Sequence, residues 1–133
     1  MAGSNINANA KPGFFLAVAA TVAAFDGMEW TADLNYDLID IAESHTVAGA
    51  AANIEVRKAT PGTAKASGVL MHATSGFSAA GTANTPVVLG PSTTAANARL
   101  ARGDRVCVGI SGASAGLAGV NVTVRLKALS QLG

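Results

Sequence analysis

The sequence predicts an all-β fold, a sandwich or barrel of about eight short strands. Three observations predict it. Glycine and proline punctuate the chain at short intervals, from Gly27 and Gly49 through Pro61-Gly62, Gly68, Gly76, Gly81 and Gly90-Pro91 to Gly103, Gly112, Gly116 and Gly119. Between these breaks lie runs rich in β-branched residues that alternate apolar with polar, the period-2 pattern of a half-buried strand. No long stretch repeats apolar residues at helical spacing. A chain of 133 residues fits one domain and can bury a core without covalent staples.

Taken in order, residues 1–13 (MAGSNINANAKPG) are polar, rich in Asn and Ala and closed by Pro12-Gly13. They read as an extended arm ahead of a sandwich over residues 14–133, and an arm this poor in apolar surface needs a surface outside itself to order it. Residues 14–25 (FFLAVAATVAAF) are uncharged and mostly apolar. They imitate the apolar stretch of a signal peptide, but one preceding charge, Lys11, is a weak leader. Twelve residues are also too few for a membrane-spanning helix, which needs about 20. This stretch is read as one or two buried strands, and no membrane partner is expected.

Residues 36–47 (YDLIDIAESHTV) form a longer strand candidate with mixed alternation. Residues 48–52 are read as a short helical turn or a loop. In residues 53–58 (NIEVRK), Ile54 and Val56 point inward, and Glu55 and Arg57 outward. Shorter strands are expected over residues 69–72, 85–89 and 98–100. Residues 104–110 place Val106, Val108 and Ile110 on one face, and residues 120–127 (VNVTVRLK) place Val120, Val122, Val124 and Leu126 on one face.

Composition narrows the function. Only 13% of residues are charged, and the net charge is +1. That excludes binding through a basic excess to nucleic-acid phosphates, and it suits a surface covered by neighbours. The charges are segregated: residues 1–55 set seven acids against Lys11 alone, and residues 56–133 set eight bases against Asp104 alone. Either acidic and basic strands neighbour each other within one fold, or the halves form complementary faces of adjacent subunits.

No catalytic set is visible, neither a G-x-S-x-G elbow nor a Cys/His motif, and the chain is read as a non-enzyme without cofactor. Cys107, the only cysteine, reads as a small buried hydrophobe. His45 and His72 read as surface or partly buried groups, because a metal site wants three or four convergent ligands. Arg102-Gly103-Asp104 spells an adhesion tripeptide, but a turn entering a strand accounts for it. Asn121-Val122-Thr123 is a glycosylation sequon lying mid-strand. Residues 26–37 (DGMEWTADLNYD) gather Met28, Trp30 and Tyr36 among four acids. Residues of these three types are enriched at interface cores. The alternative is that Trp30 caps the sandwich core.

The C-terminal third carries a resemblance. Leu89-Gly90, then residues 98–106 with their L-x-x-G-D turn (Leu100 to Asp104), then residues 117–126 resemble the end of small bacteriophage head decoration proteins. The middle is similar too, with residues 53–58, the Pro61-Gly62 turn and a loop of small residues at 81–85. The likeness covers most of residues 14–129. It implies an antiparallel jelly-roll β-sandwich. It also implies a homo-oligomer, a trimer, made in the host cytoplasm and sitting on the outside of a virion, with the major capsid protein as partner. On this reading the capsid and subunit contact candidates are Asn5, Asn7, Asn9 and Lys11 on the arm, with Met28, Trp30 and Tyr36. The alternative is a phage tail or fibre module holding a host-surface glycan or protein. Sugar sites want exposed aromatics, and this chain has six aromatic residues to share between core and surface.

Overall fold

A computed structural model describes residues 16–19, 28–73 and 76–129. The described residues are all-β, with 52% of them in strands and no helix of seven residues or more among them. Ten strands are described: β1 Leu16–Ala19, β2 Glu29–Thr31, β3 Tyr36–Ser44, β4 Ala51–Ala59, β5 Val69–Leu70, β6 Phe77–Ser78, β7 Val87–Leu89, β8 Arg99–Leu100, β9 Arg105–Ala113 and β10 Val120–Ala128. Two 3-10 turns, Lys65–Ser67 and Ala95–Ala98, are the remaining regular elements.

The strands form two five-stranded antiparallel sheets packed face to face, a β-sandwich. One has the order β1-β10-β3-β7, with β8 also on β3, and the other the order β2-β9-β4-β5, with β6 also on β4. The chain passes from sheet to sheet: β1, β3, β7, β8 and β10 lie in the first, and β2, β4, β5, β6 and β9 in the second.

The core between them follows from alternation. Ile54, Val56, Val106, Val108, Ile110, Val120, Val122, Val124 and Leu126 are all buried, as their strand periods require. Phe77, Met71, Leu100 and Leu117 fill the space between and at the ends. The mixed alternation of residues 36–47 has a local cause. Arg125 pairs with Asp40 and Leu126 with Leu38, so β3 holds one residue more than β10 at this point. This β-bulge lets Tyr36 and Leu38 face inward before it and Ile41 and Glu43 after it.

Two expectations are corrected. Residues 51 and 52 belong to strand β4, not to a helical turn, and Ala52 is buried against the core. Gly112 of β9, lacking a Cβ, lies close against the β4 backbone here. At φ +84, a Cβ on Gly112 would stand 2.5 Å from the Ala51 carbonyl oxygen. Strands β2 and β6 were not anticipated, since two or three residues carry no readable period. The segment of residues 1–13 lies outside the described residues, as does most of the 14–25 stretch apart from β1.

Val124→Asp is expected to lower stability by at least about 3 kcal/mol, because it buries an unpaired carboxylate in the core. Lys127→Gln, on the outward face of the same strand, should stay within about 0.5 kcal/mol of the parent. Urea denaturation midpoints check both.

Candidate functional site

Each group that the sequence marks as chemically capable has a structural partner. Asp104 ends the L-x-x-G-D turn. Gly103 takes φ +95, and the Asp104 carboxylate accepts the Ala101 N–H at 2.9 Å while its own N–H donates to the Ala101 carbonyl. Asp104 is only 6% exposed, so the tripeptide's carboxylate is spent inside the turn and is not displayed.

Cys107 is buried, but on the outer face of the second sheet and outside the main core, between Glu29, Arg57 and Arg105. Burial pushes its thiol up, and the Glu29 carboxylate adds to that, so the thiolate is disfavoured. Beside it a hollow of about 230 Å³ opens over Gly109, walled by Glu55, Arg57 and Lys65.

Both histidines are buried, a correction to their reading as surface or partly buried groups. His72 is 3% exposed, lies 5.5 Å from the Phe77 ring and accepts the Val56 N–H on Nε2. His45 and Glu43 form a buried pair at 2.9 Å. Among the described residues, no three His, Cys, Asp or Glu side chains gather where they could hold a metal ion. No described helix is long and apolar enough to cross a membrane.

The segregated charges pair across strands. Arg125 forks onto Asp40, its register partner on β3, and Arg99 bonds Asp37, likewise a register partner, at 2.9 Å. Arg105 reaches Glu29 at 3.3 Å. These three pairs join the basic half to the acidic half within one molecule, because β8, β9 and β10 lie beside β2 and β3. Solvent screens such surface pairs, so they add little to stability.

Of the contact candidates, Asn5, Asn7, Asn9 and Lys11 lie outside the described residues. Met28 and Trp30 are half-buried against the core, with Trp30 on edge strand β2 rather than in a loop. Tyr36 is buried, and its ring meets Trp30 edge-on, with centroids 5.4 Å apart. Trp30 thus packs on the core and on Tyr36, as the core-capping alternative for it requires. Tyr36 and Phe77 are buried, so neither offers the exposed ring a sugar site would use.

Comparison with family models, with curated proteins and with solved structures finds no match.

The exposed apolar surface lies elsewhere. Strand β7 ends its sheet, and its Val87 and Val88 are 44% and 56% exposed. No described strand pairs with its outer edge. The segment from 85 to 92 (TPVVLGPS) holds no charged residue, so charge does not guard this edge against pairing. Sequence reading placed a strand here without marking it as an edge. The signal was available in Pro86 and Pro91, which bracket the run as prolines bracket edge strands.

Tyr36 supplies a spectroscopic check, since it is the one tyrosine. Burial, then the hydrogen bond and charge of Asp33, push its phenol from 10.0 up to about 12. A raised value means that this group's stabilising share is full below 10.0 and is lost as pH rises through about 12. Stopped-flow absorbance read before unfolding should find the phenolate midpoint near 12. Asp33→Asn should lower it while burial keeps it above 10.0.

Proposed function

We propose that this chain is a structural assembly subunit, a decoration protein that attaches to the outside of a phage capsid and stabilises the shell. The observation that carries the reading is the uncharged, valine-bearing edge of β7, which no described strand covers, on a sandwich whose cysteine and two histidines are buried. A monomer that must stay soluble blunts such an edge with Lys, Pro or a bulge inside the strand. A subunit that adds strand to strand with a neighbour leaves it bare.

Two further features support the assignment. The order β1-β10-β3-β7 facing β2-β9-β4-β5, with successive strands exchanging sheets, fits a jelly roll of two interleaved Greek keys. The L-x-x-G-D turn and the alternating last strand, which carry the resemblance to head decoration proteins, occupy β8 to β10 and form part of both sheets. On this reading the protein is a homo-oligomer, a trimer, whose neighbours on the virion are its own copies and the major capsid protein. Its mechanism is association alone. Modest contacts repeated over a lattice resist outward pressure through avidity.

Light scattering is expected to find an oligomer for the parent chain and a monomer for Val88→Lys, with fold stability changed by no more than about 0.5 kcal/mol. Particles imaged with and without the chain should differ by added density on the shell. A parent chain that is monomeric both in solution and on particles contradicts the reading.

A further inference from the structure

The buried Glu43–His45 pair has a proton count fixed by its bonds. Glu43 and His45 are 1% and 2% exposed. The His45 ring is held at both nitrogens, with Nε2 at 3.1 Å from the Gly81 carbonyl oxygen and Nδ1 at 2.9 Å from Glu43 Oε1. A carbonyl oxygen only accepts, so Nε2 carries a hydrogen. A second hydrogen must lie between Nδ1 and Oε1, because two facing lone pairs at that distance repel in a buried site. It sits there as an imidazolium donating to a carboxylate or as a carboxyl donating to an imidazole. In both forms the pair is neutral overall and holds one proton more than a free imidazole and carboxylate. Glu43 Oε2 has no partner among the described residues, so a net charge left on this carboxylate would be poorly compensated.

The pair is fastened to a particular segment. Gly81, bonded to Nε2, lies in the stretch that runs from β6 to β7. The Asn84 N–H donates to the His45 backbone carbonyl at 2.6 Å, and β7 begins at Val87. Residues 76–98 contain no ionisable side chain, so this segment has no other charge to hold it down. We infer that Glu43 and His45 share one proton that latches the 79–86 segment, and with it edge strand β7, onto the end of the sandwich.

Removing the shared proton breaks the latch at a definable atom. The remaining ring hydrogen moves to Nδ1, where it still serves the Glu43 carboxylate. Nε2 then turns a lone pair toward the Gly81 carbonyl, and that bond is lost. The surroundings supply no substitute charge. The register partners of Glu43 are Val122 and Val87, and the inward face of β4 opposite offers Ala52 and Ile54. Phe77 of β6 is apolar, and beyond it His72 accepts the Val56 N–H on Nε2. Asp37 and Asp40 of β3 lie on its outer face, engaged by Arg99 and Arg125. Burial opposes charge on His45, yet the bonds to Glu43 and Gly81 raise its proton affinity above the ordinary histidine value; burial raises that of Glu43. Both directions keep the proton in place toward alkaline pH. The latch is therefore closed below the ordinary histidine value of 6.5 and opens only as pH rises through the raised one.

The test is an NMR titration of the intact chain, following the His45 ring nitrogens and the amide exchange of Asn84 against that of Val124. The expected result is one step in the ring signals, with its midpoint above 6.5. Over the same step, Asn84 should lose about tenfold of its protection relative to Val124. Glu43→Gln replaces the shared proton with an amide hydrogen that does not titrate, so its Asn84 protection should be flat across that range. A His45 midpoint at or below 6.5, or an alkaline loss as large in Glu43→Gln as in the parent, overturns the latch. If Glu43→Gln fails to fold, the parent's titration decides alone. Any control of assembly by this latch rests on the reading of β7 as the docking edge. Light scattering across the same pH range separates the two. A latch that titrates in an oligomer whose size stays constant keeps the latch and removes its control of assembly. A chain that is monomeric at every pH removes the docking edge and leaves the latch.

Discussion

The pairing of β3 with β10 is the interaction on which the rest of the structure depends. Strand β3 is the hub of its sheet, bonded to β10 along one edge and to β7 and β8 along the other. Side chains in a strand alternate between faces, so a slip of one residue would turn Ile41 and Glu43 out to solvent and bring Ala42 inside. The bulge opposite Arg125 and Leu126 prevents this conflict. Strand β10 keeps unbroken alternation from Val120 to Leu126, and β3 takes up one extra residue to bring two inward sets into register with it. The same bulge sets Ile39 on the exposed surface and Asp40 where Arg125 can fork onto it.

Several features described separately follow from that register. The acids of the first half and the bases of the second meet because β10 and β8 lie beside β3, and β9 beside β2. The charge asymmetry is thus met in part within the molecule, by the Arg99–Asp37, Arg105–Glu29 and Arg125–Asp40 pairs. Glu43 and His45 are carried inward by the phase that the bulge establishes, and they find each other there because the core offers neither of them water. The free edge of β7 lies against the same stretch of β3 that holds the pair, with Val87 the register partner of Glu43.

Much of the fold was legible in the sequence, and the reason is physical. Residues 53–58, 104–110 and 120–127 each alternate cleanly because one face of each strand meets only the core and the other only solvent or a paired charge. Legibility failed where that condition failed. Residues 36–47 read as mixed because a bulge has no period. Strands β2 and β6 are too short to show one, and residues 51 and 52 are alanines whose helix propensity yields to sheet packing. The candidate site was less legible. Glu43 and His45 could be placed on one face, but only the structure shows that this face is the interior. Cys107 read as buried, and the alternation that turns Val106, Val108 and Ile110 inward sets it on the outer face; the charged side chains that cover it there come from other strands and could not be read. The tripeptide ending in Asp104 and the residues Trp30 and Tyr36 looked like recognition elements, and each has a packing or turn-forming role that a local pattern does not distinguish from display. The exposed edge of β7 was missed because two exposed valines in a short run look like any buried strand until their sheet neighbours are known.

If the chain acts by adding neighbours at the edge of β7, the backbone of that edge must lose solvent access on assembly. Hydrogen–deuterium exchange over residues 85–90, compared between dilute chain and chain assembled on particles, tests it most directly. The amides of β7 that point away from β3 are expected to exchange fast in the dilute chain and become protected on assembly, while the β4 and β9 amides hardly change. Protection that appears elsewhere while β7 continues to exchange as in the free chain would contradict it.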